Sequence, residues 1–156
     1  LLEMFPGFPM GNLSDLPVHL DKTVKYDIDM DASCPLEAAP TVSLDTLAKA
    51  SFVAINTIHC QAHYQERFEC LFCSRVRAID EMPGFLAMQV LKPADEGEPY
   101  LVVSYWESEE RFHAWVGSEA FHAGHARAFA DLKAAKEAGQ EPPMTSTFRT
   151  YSVLAR

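Results

Sequence analysis

From position 51 onward, the spacing of apolar residues changes period several times, and each period predicts an element. Residues 52–60 are apolar and partly β-branched, the composition of a strand. Over 61–80, Tyr64, Phe68, Leu71, Phe72, Val76 and Ile79 recur at steps of three and four, which predicts an amphipathic helix. Met82-Pro83-Gly84 breaks that helix. Strands follow at 85–91 and 100–106, joined by a polar turn over 93–99. Ser108 is placed to cap a short helix ending near Val116, and Gly117-Ser118 resets the chain for a longer helix over 119–138. Residues 139–143 end it, and 145–154 read as a closing strand.

The order strand, helix, strand, strand, helices, strand is that of an α+β, ferredoxin-like fold: an antiparallel four-stranded sheet with helices on one face. Alternation along the first strand turns Phe52, Ala54, Asn56 and Ile58 one way and Val53, Ile55 and Thr57 the other. In the second strand, Phe85 and Ala87 oppose Leu86, Met88 and Val90. Both faces are apolar, and the helices cover only one. The other face calls for a lid, so the pattern predicts a homodimer packed sheet to sheet, with the amino-terminal segment as the competing lid.

Residues 1–50 differ from the rest. They hold Pro6, Pro9, Pro17, Pro35 and Pro40 and show little sustained period, apart from a short strand expected over 22–29 and a short helix over 43–50 capped by Ser43. This segment is too small and irregular to own a core, so it reads as an extension packed on a single domain spanning 51–156. The formal net charge of −9 argues against nucleic acid or an anionic membrane as partner, because both reward clustered Lys and Arg. No apolar run reaches the roughly 18–20 residues of a membrane span. Cys34, Cys60, Cys70 and Cys73 do not form the pattern of a secreted disulfide framework, and a reducing compartment is expected. That points to the cytoplasm, or to an organelle stroma where a targeting peptide has been removed ahead of Leu1.

Three residues stand out as candidates for chemistry. His125 falls on the stripe Phe121, His125, Phe129, Leu132 of the last helix; it is either a core histidine bonded to a carbonyl or a neutral imidazole lining an apolar pocket. Such an imidazole suits an axial ligand for heme iron, and Ala123 and Gly124 leave room beside it for a flat macrocycle. Trp115 shares the apolar side of the short helix with Phe112 and Val116, as a packing tryptophan would. Asn56 is an amide on an apolar strand face, either pinning a loop or acting as a donor over a bound ligand.

These three residues sit in a wider pattern. The run Trp106-Glu107-Ser108-Glu109-Glu110 with Phe112, Trp115, Ser118, Phe121 and His125 at its spacing, together with Asn56 in the first strand, resembles the Isd-type heme-degrading monooxygenases. Met82-Pro83-Gly84-Phe85 resembles the turn from helix to strand in the wider antibiotic biosynthesis monooxygenase family. The likeness extends over 52–129 and again over 147–154. It implies that His125 ligates iron, that Trp115 holds the macrocycle out of plane, and that Asn56 hydrogen-bonds on the distal side. Phe121, His122 and Phe129 would flank the cofactor. Heme would be both substrate and prosthetic group, with O2 and an external electron donor completing a ring-opening reaction that releases iron.

The resemblance has rivals and departures. Thr57 and Ile58 stand where some relatives carry a basic residue, so no propionate partner is assigned. His113 and His122 are alternative ligands; His122 is turned about 300° from His125 and flanks the same groove. Cys70 and Cys73 with His59, Cys60 and His63 form a weak zinc candidate, because structural zinc prefers ligands on turns. The rival functions are a cofactor-free oxygenase of quinols or other aromatics, and a heme-binding protein without turnover.

Overall fold

The computed structural model describes residues 42–75 and 77–155. The strand expected over 22–29 lies outside the described residues. The elements run in the order α1 (Leu44–Ala48), β1 (Phe52–Cys60), α2 (Gln65–Cys73), β2 (Phe85–Leu91), β3 (Tyr100–Trp106), α3 (Glu109–Val116), α4 (Glu119–Glu137) and β4 (Met144–Ser152), with 3-10 turns at Ala62–Tyr64 and Ala78–Glu81. The strands form one antiparallel sheet in the order β2-β3-β1-β4, so the ferredoxin-like reading holds. Ser43 caps α1 by accepting from Thr46 N, as its position suggested.

Two expectations need correction. The helix predicted over 61–80 is broken into a 3-10 turn, α2 and a second 3-10 turn. Its apolar period continues, but tertiary bonds end it early. Ser74 Oγ donates to Cys70 O at 2.6 Å, and Arg127 of α4 donates to Leu71 O and Ser74 O at 3.1 and 2.8 Å. Those carbonyls are therefore satisfied without another helical turn, and Arg77 then adopts φ 56°. The second correction concerns β2. A register shift between Phe85 and Ala87 reverses the alternation, so Met88 pairs with Ser104 and Ala87 with Tyr105. Met88 and Val90 thus share the helix-covered face with Phe85, whereas Ala87, Gln89 and Leu91 lie on the opposite one.

The helix-covered face splits into two apolar clusters. One gathers Phe52, Ala54, Trp106, Phe112, Trp115 and Phe121 around the α3–α4 junction. The other gathers Ile58, Tyr64, Phe68, Tyr100, Leu132 and Met144 under α2 and the carboxyl half of α4. On β1 the boundary between them falls at Asn56, and Phe129 packs against both. The opposite face exposes Leu91 and Tyr151 at 45% and 48%.

Beneath α4 a polar clamp fixes the helix to α2. Tyr64 Oη donates to Asp131 Oδ2 at 2.6 Å, and Arg67 Nε and Nη2 reach its two oxygens at 3.0 and 3.3 Å. Tyr64 and Asp131 are buried. Removing one partner of such a cluster strands the others, whereas the intact cluster adds little net stability over apolar packing. Asp131→Ala is therefore expected to lower the unfolding free energy by about 3–5 kcal/mol, and Tyr64→Phe by about 1–3 kcal/mol. Urea midpoints at unchanged slope would report both losses. A loss well under 1 kcal/mol for Asp131→Ala would mean the clamp does not hold α4.

Candidate functional site

A cavity of about 170 Å³ opens where the two clusters part, between the sheet and α4. Asn56, Trp115, Phe121, His125 and Phe129 all line it, so the structure brings together most of the residues the sequence singled out. His122 is exposed and lies outside the lining, as does His113, whose ring pairs with Glu109 at 3.4 Å on the surface. Gly124 lines the cavity, with a hypothetical Cβ at ordinary contact distance, 3.6 Å, from Trp115 Cη2; the exposed Ala123 does not.

Local sequence sets the positions of Trp115 and His125. Ser108 caps α3, accepting from Arg111 N, and α3 ends at Gly117. Ser118 then makes both ends of the junction: its Oγ donates to Trp115 O at 2.7 Å and accepts from Phe121 N at 3.1 Å. Trp115 is fixed by that bond and packs edge-on against Phe121, with ring centroids 5.4 Å apart. One helical turn later, His125 stands between Phe121 and Phe129, its ring 4.2 and 5.6 Å from theirs.

His125 Nδ1 lies 2.7 Å from Phe121 O. A carbonyl oxygen only accepts, so Nδ1 carries the hydrogen and Nε2 is left with its lone pair. Burial holds this imidazole below the ordinary histidine pKa, the Phe121 bond partly opposes that shift, and nearby His122 reinforces it. The result is a neutral ring with a defined tautomer in an apolar wall. Such a ring is suited to ligate a metal through Nε2, and its Nδ1 bond is the outer contact that sets orientation.

Asn56 faces that wall from β1, between Val102 and Phe148 in the register. Its Oδ1 is buried and has no hydrogen-bond partner among the described residues. Three guanidinium groups, Arg75, Arg77 and Arg127, also line the cavity, and the sequence reading missed them. Arg75 pairs with Asp80 at 2.8 Å, and Arg127 is engaged by the end of α2. The signal that would have found them is the early end of α2, which an uninterrupted period conceals. No group of three or more histidine, cysteine or acidic side chains able to hold a metal occurs among the described residues, so the zinc candidate is not formed there. Cys60 and Cys70 are free thiols, with burial pushing Cys60 up to about 12, and Cys73 is disulfide-bonded, against the reducing compartment that the cysteine pattern led us to expect.

Residues 51–127 match the model of a family described as antibiotic biosynthesis monooxygenase. A mycobilin-producing heme oxygenase of Mycobacterium tuberculosis is 43% identical over 75 residues, 47% of this chain and 71% of that protein. The chain belongs to the antibiotic biosynthesis monooxygenase family. A heme-degrading monooxygenase of Shouchella clausii is 38% identical over 53 residues, 33% of this chain and 50% of that protein. Among solved structures, the heme-degrader MhuD of M. tuberculosis, with two hemes in its active site, superposes with a TM-score of 0.51 at 32% identity over 67% of this chain and 97% of that one. SnoaB, a cofactor-independent oxygenase from Streptomyces nogalater, superposes at 0.53 with 15% identity over 69% of this chain and 96% of that one, a likeness of fold alone.

The lowered His125 pKa sets a pH dependence. Below the ordinary histidine value of about 6.5, the unfolded chain takes up a proton that the folded imidazole resists. Stability contributed by the neutral ring is therefore full above about pH 6.5 and declines as pH falls toward the lower folded value. His125→Leu is expected to flatten the fall of urea midpoints below about pH 6.5 relative to the unsubstituted protein. Equal slopes would show that the ring protonates alike in both states.

Proposed function

We propose that this protein is a heme-degrading monooxygenase, binding heme through His125 and opening the macrocycle with O2 and an external electron donor. One observation carries the proposal: a neutral histidine with Nδ1 committed to a carbonyl lines an apolar cavity together with Asn56, whose buried amide oxygen has no hydrogen-bond partner among the described residues. The donor set fits heme. An imidazole Nε2 is a common axial ligand, the surrounding aromatic walls suit a flat apolar ring, and Asn56 is a polar group near the reacting centre. The similarity to heme-degrading enzymes, at 43% and 38% identity, supports the same reading.

When bound, heme supplies the redox-active iron and the meso carbons that are oxidised. The chain's residues do the rest. His125 would hold the iron through Nε2, with its Nδ1 bond to Phe121 O keeping the imidazole from turning. Trp115, packed against Phe121 and fixed through Ser118, would form a rigid wall against the bound macrocycle. Asn56 would supply the polar contact to the bound substrate from the strand side of the cavity. Arg77, an exposed residue of the cavity lining, would be the partner for a ligand carboxylate. A cavity of 170 Å³ lies below the usual range of roughly 300–1,000 Å³ for ligand pockets, so entry of the macrocycle moves a wall. The end of α2, held to α4 by Arg127, is the wall we assign. The unshielded sheet face, with Leu91 and Tyr151 exposed, is the proposed homodimer surface.

Titration with hemin should give a saturable Soret shift at one heme per subunit, lost in His125→Ala, and the band should bleach when ascorbate is added in air. Asn56→Ala should keep binding but slow bleaching about ten- to a hundredfold, the worth of one hydrogen bond to a charged ligand. A Soret band that never bleaches would instead identify a heme carrier. Absence of saturable binding would leave a cofactor-free oxygenase. Sedimentation equilibrium tests the dimer: Tyr151→Asp should yield monomer, and an already monomeric parent protein would remove that proposal.

A further inference from the structure

The chain contains four cysteines, Cys34, Cys60, Cys70 and Cys73. Cys60 and Cys70 are free thiols, whereas Cys73 is disulfide-bonded. Elimination leaves Cys34 as the one cysteine of this chain able to pair with Cys73. Cys34 lies outside the described residues, and the count alone identifies it. Burial keeps the Cys60 thiol protonated, its pKa pushed up to about 12, so thiol exchange does not carry the bond to that position.

A crosslink at Cys73 acts on the cavity. Cys73 is the last residue of α2 and is exposed, so a dissolved thiol can reach it. Leu71, Phe72 and Arg75, on either side of it, line the cavity. The two ends of α2 are held differently. Near its amino end Tyr64 and Arg67 bond the buried Asp131. At its carboxyl end the exposed Arg127 donates to Ser74 Oγ and Ser74 O, both at 2.8 Å. Bonds made by one exposed side chain open readily, so a covalent tie one residue away changes how often that end opens. The other side of the tie is anchored. Val42, where the described chain begins, is eight positions beyond Cys34, a reach of at most about 28 Å. From there α1 packs against β2, and Ser51 N donates to Trp106 O as the chain enters the sheet.

We propose that a Cys34–Cys73 disulfide is a redox latch on the cavity. Oxidised, it ties the end of α2 to the segment anchored on the sheet and slows ligand entry. Reduced, it leaves the Arg127 bonds to hold that wall, and the wall opens more often. In the reduction a dithiol supplies two electrons and two protons. The sulfur–sulfur bond breaks, both cysteines become thiols, and the dithiol closes to its own disulfide. The inference rests on the heme reading, in which the end of α2 gives way as the macrocycle enters.

The test compares two preparations of the full chain, one air-oxidised and one reduced with dithiothreitol and desalted without air. Alkylation and digestion of the oxidised preparation without reductant should yield one linked peptide pair containing Cys34 and Cys73, with Cys60 and Cys70 alkylated. Stopped-flow mixing with hemin, read at the Soret band, should show association about tenfold faster after reduction, because freeing the wall raises the fraction of chains competent to bind. Cys34→Ser should bind at the fast rate in both preparations and lose all response to dithiothreitol. Should that variant fold poorly, Cys73→Ser removes the same bond at an exposed position and reads the same rates. An alkylated Cys73, or Cys73 linked to Cys70 or to a second copy of the chain, overturns the latch. Equal hemin rates in the two preparations also overturn it and leave the heme reading intact. Failure of both preparations to bind hemin overturns the heme reading and the latch together, whatever the peptide map shows.

Discussion

The position of α4 relative to the sheet depends on one buried carboxylate. Asp131 accepts from Tyr64 and from both arms of Arg67, so α4 is tied to the segment that leaves β1. Six residues separate His125 from Asp131, about 9 Å along the helix. The clamp therefore fixes the height of the imidazole over Asn56 without entering the cavity. Leu132 and Ala135 bury the adjacent face and supply the non-directional part of the docking. Apolar contact alone would allow α4 to slide or rotate by a fraction of a turn, whereas a two-pronged ion pair with a tyrosine hydroxyl accepts one geometry.

A second constraint fixes the other end. Ser118 joins α3 to α4 by bonding backward to Trp115 O and forward to Phe121 N, so the tryptophan and the helix carrying the histidine cannot move independently. Between these two fixed points the apolar face of the sheet is divided, and the division leaves space above Asn56. Arg127 sets the third wall by capturing the last carbonyls of α2. A bond made by one exposed side chain is weaker than a packed core, and the lid it holds is the part of the cavity most able to yield.

The sequence foretold this architecture where local rules and tertiary packing agree. The strands at 52–60, 85–91 and 100–106 matched, as did the serine caps at Ser108 and Ser118, because period and capping chemistry are set within a few residues. Asn56, Trp115 and His125 were visible as an amide on an apolar strand and two side chains on apolar helix stripes. The errors arose where distant residues decide. α2 stops at Cys73 because Arg127, over fifty positions later, satisfies its carbonyls. The β2 bulge depends on pairing with β3 and reversed the face of Met88. The cavity arginines followed the same break, and Ser104 reads as an ordinary strand serine until its indole partner is placed.

The same architecture serves the cofactor-independent oxygenase SnoaB, so the fold by itself selects neither substrate nor cofactor. What this chain's residues add to the fold is electronic. A histidine exposed to water would be partly protonated near neutrality and free to choose its tautomer. Here burial favours the neutral ring and the Phe121 carbonyl chooses which nitrogen keeps the hydrogen. Both effects come from one turn of α4, the first from the aromatic neighbours and the second from the helix backbone four residues earlier. A fixed, bare Nε2 lone pair in an apolar wall can ligate iron, and in an oxygenase acting on an organic ring without metal it can serve as a general base. The lone pair alone therefore does not choose between them, and under the proposed function it is the similarity to heme-degrading enzymes, more than the histidine or the sheet that supports it, that favours heme.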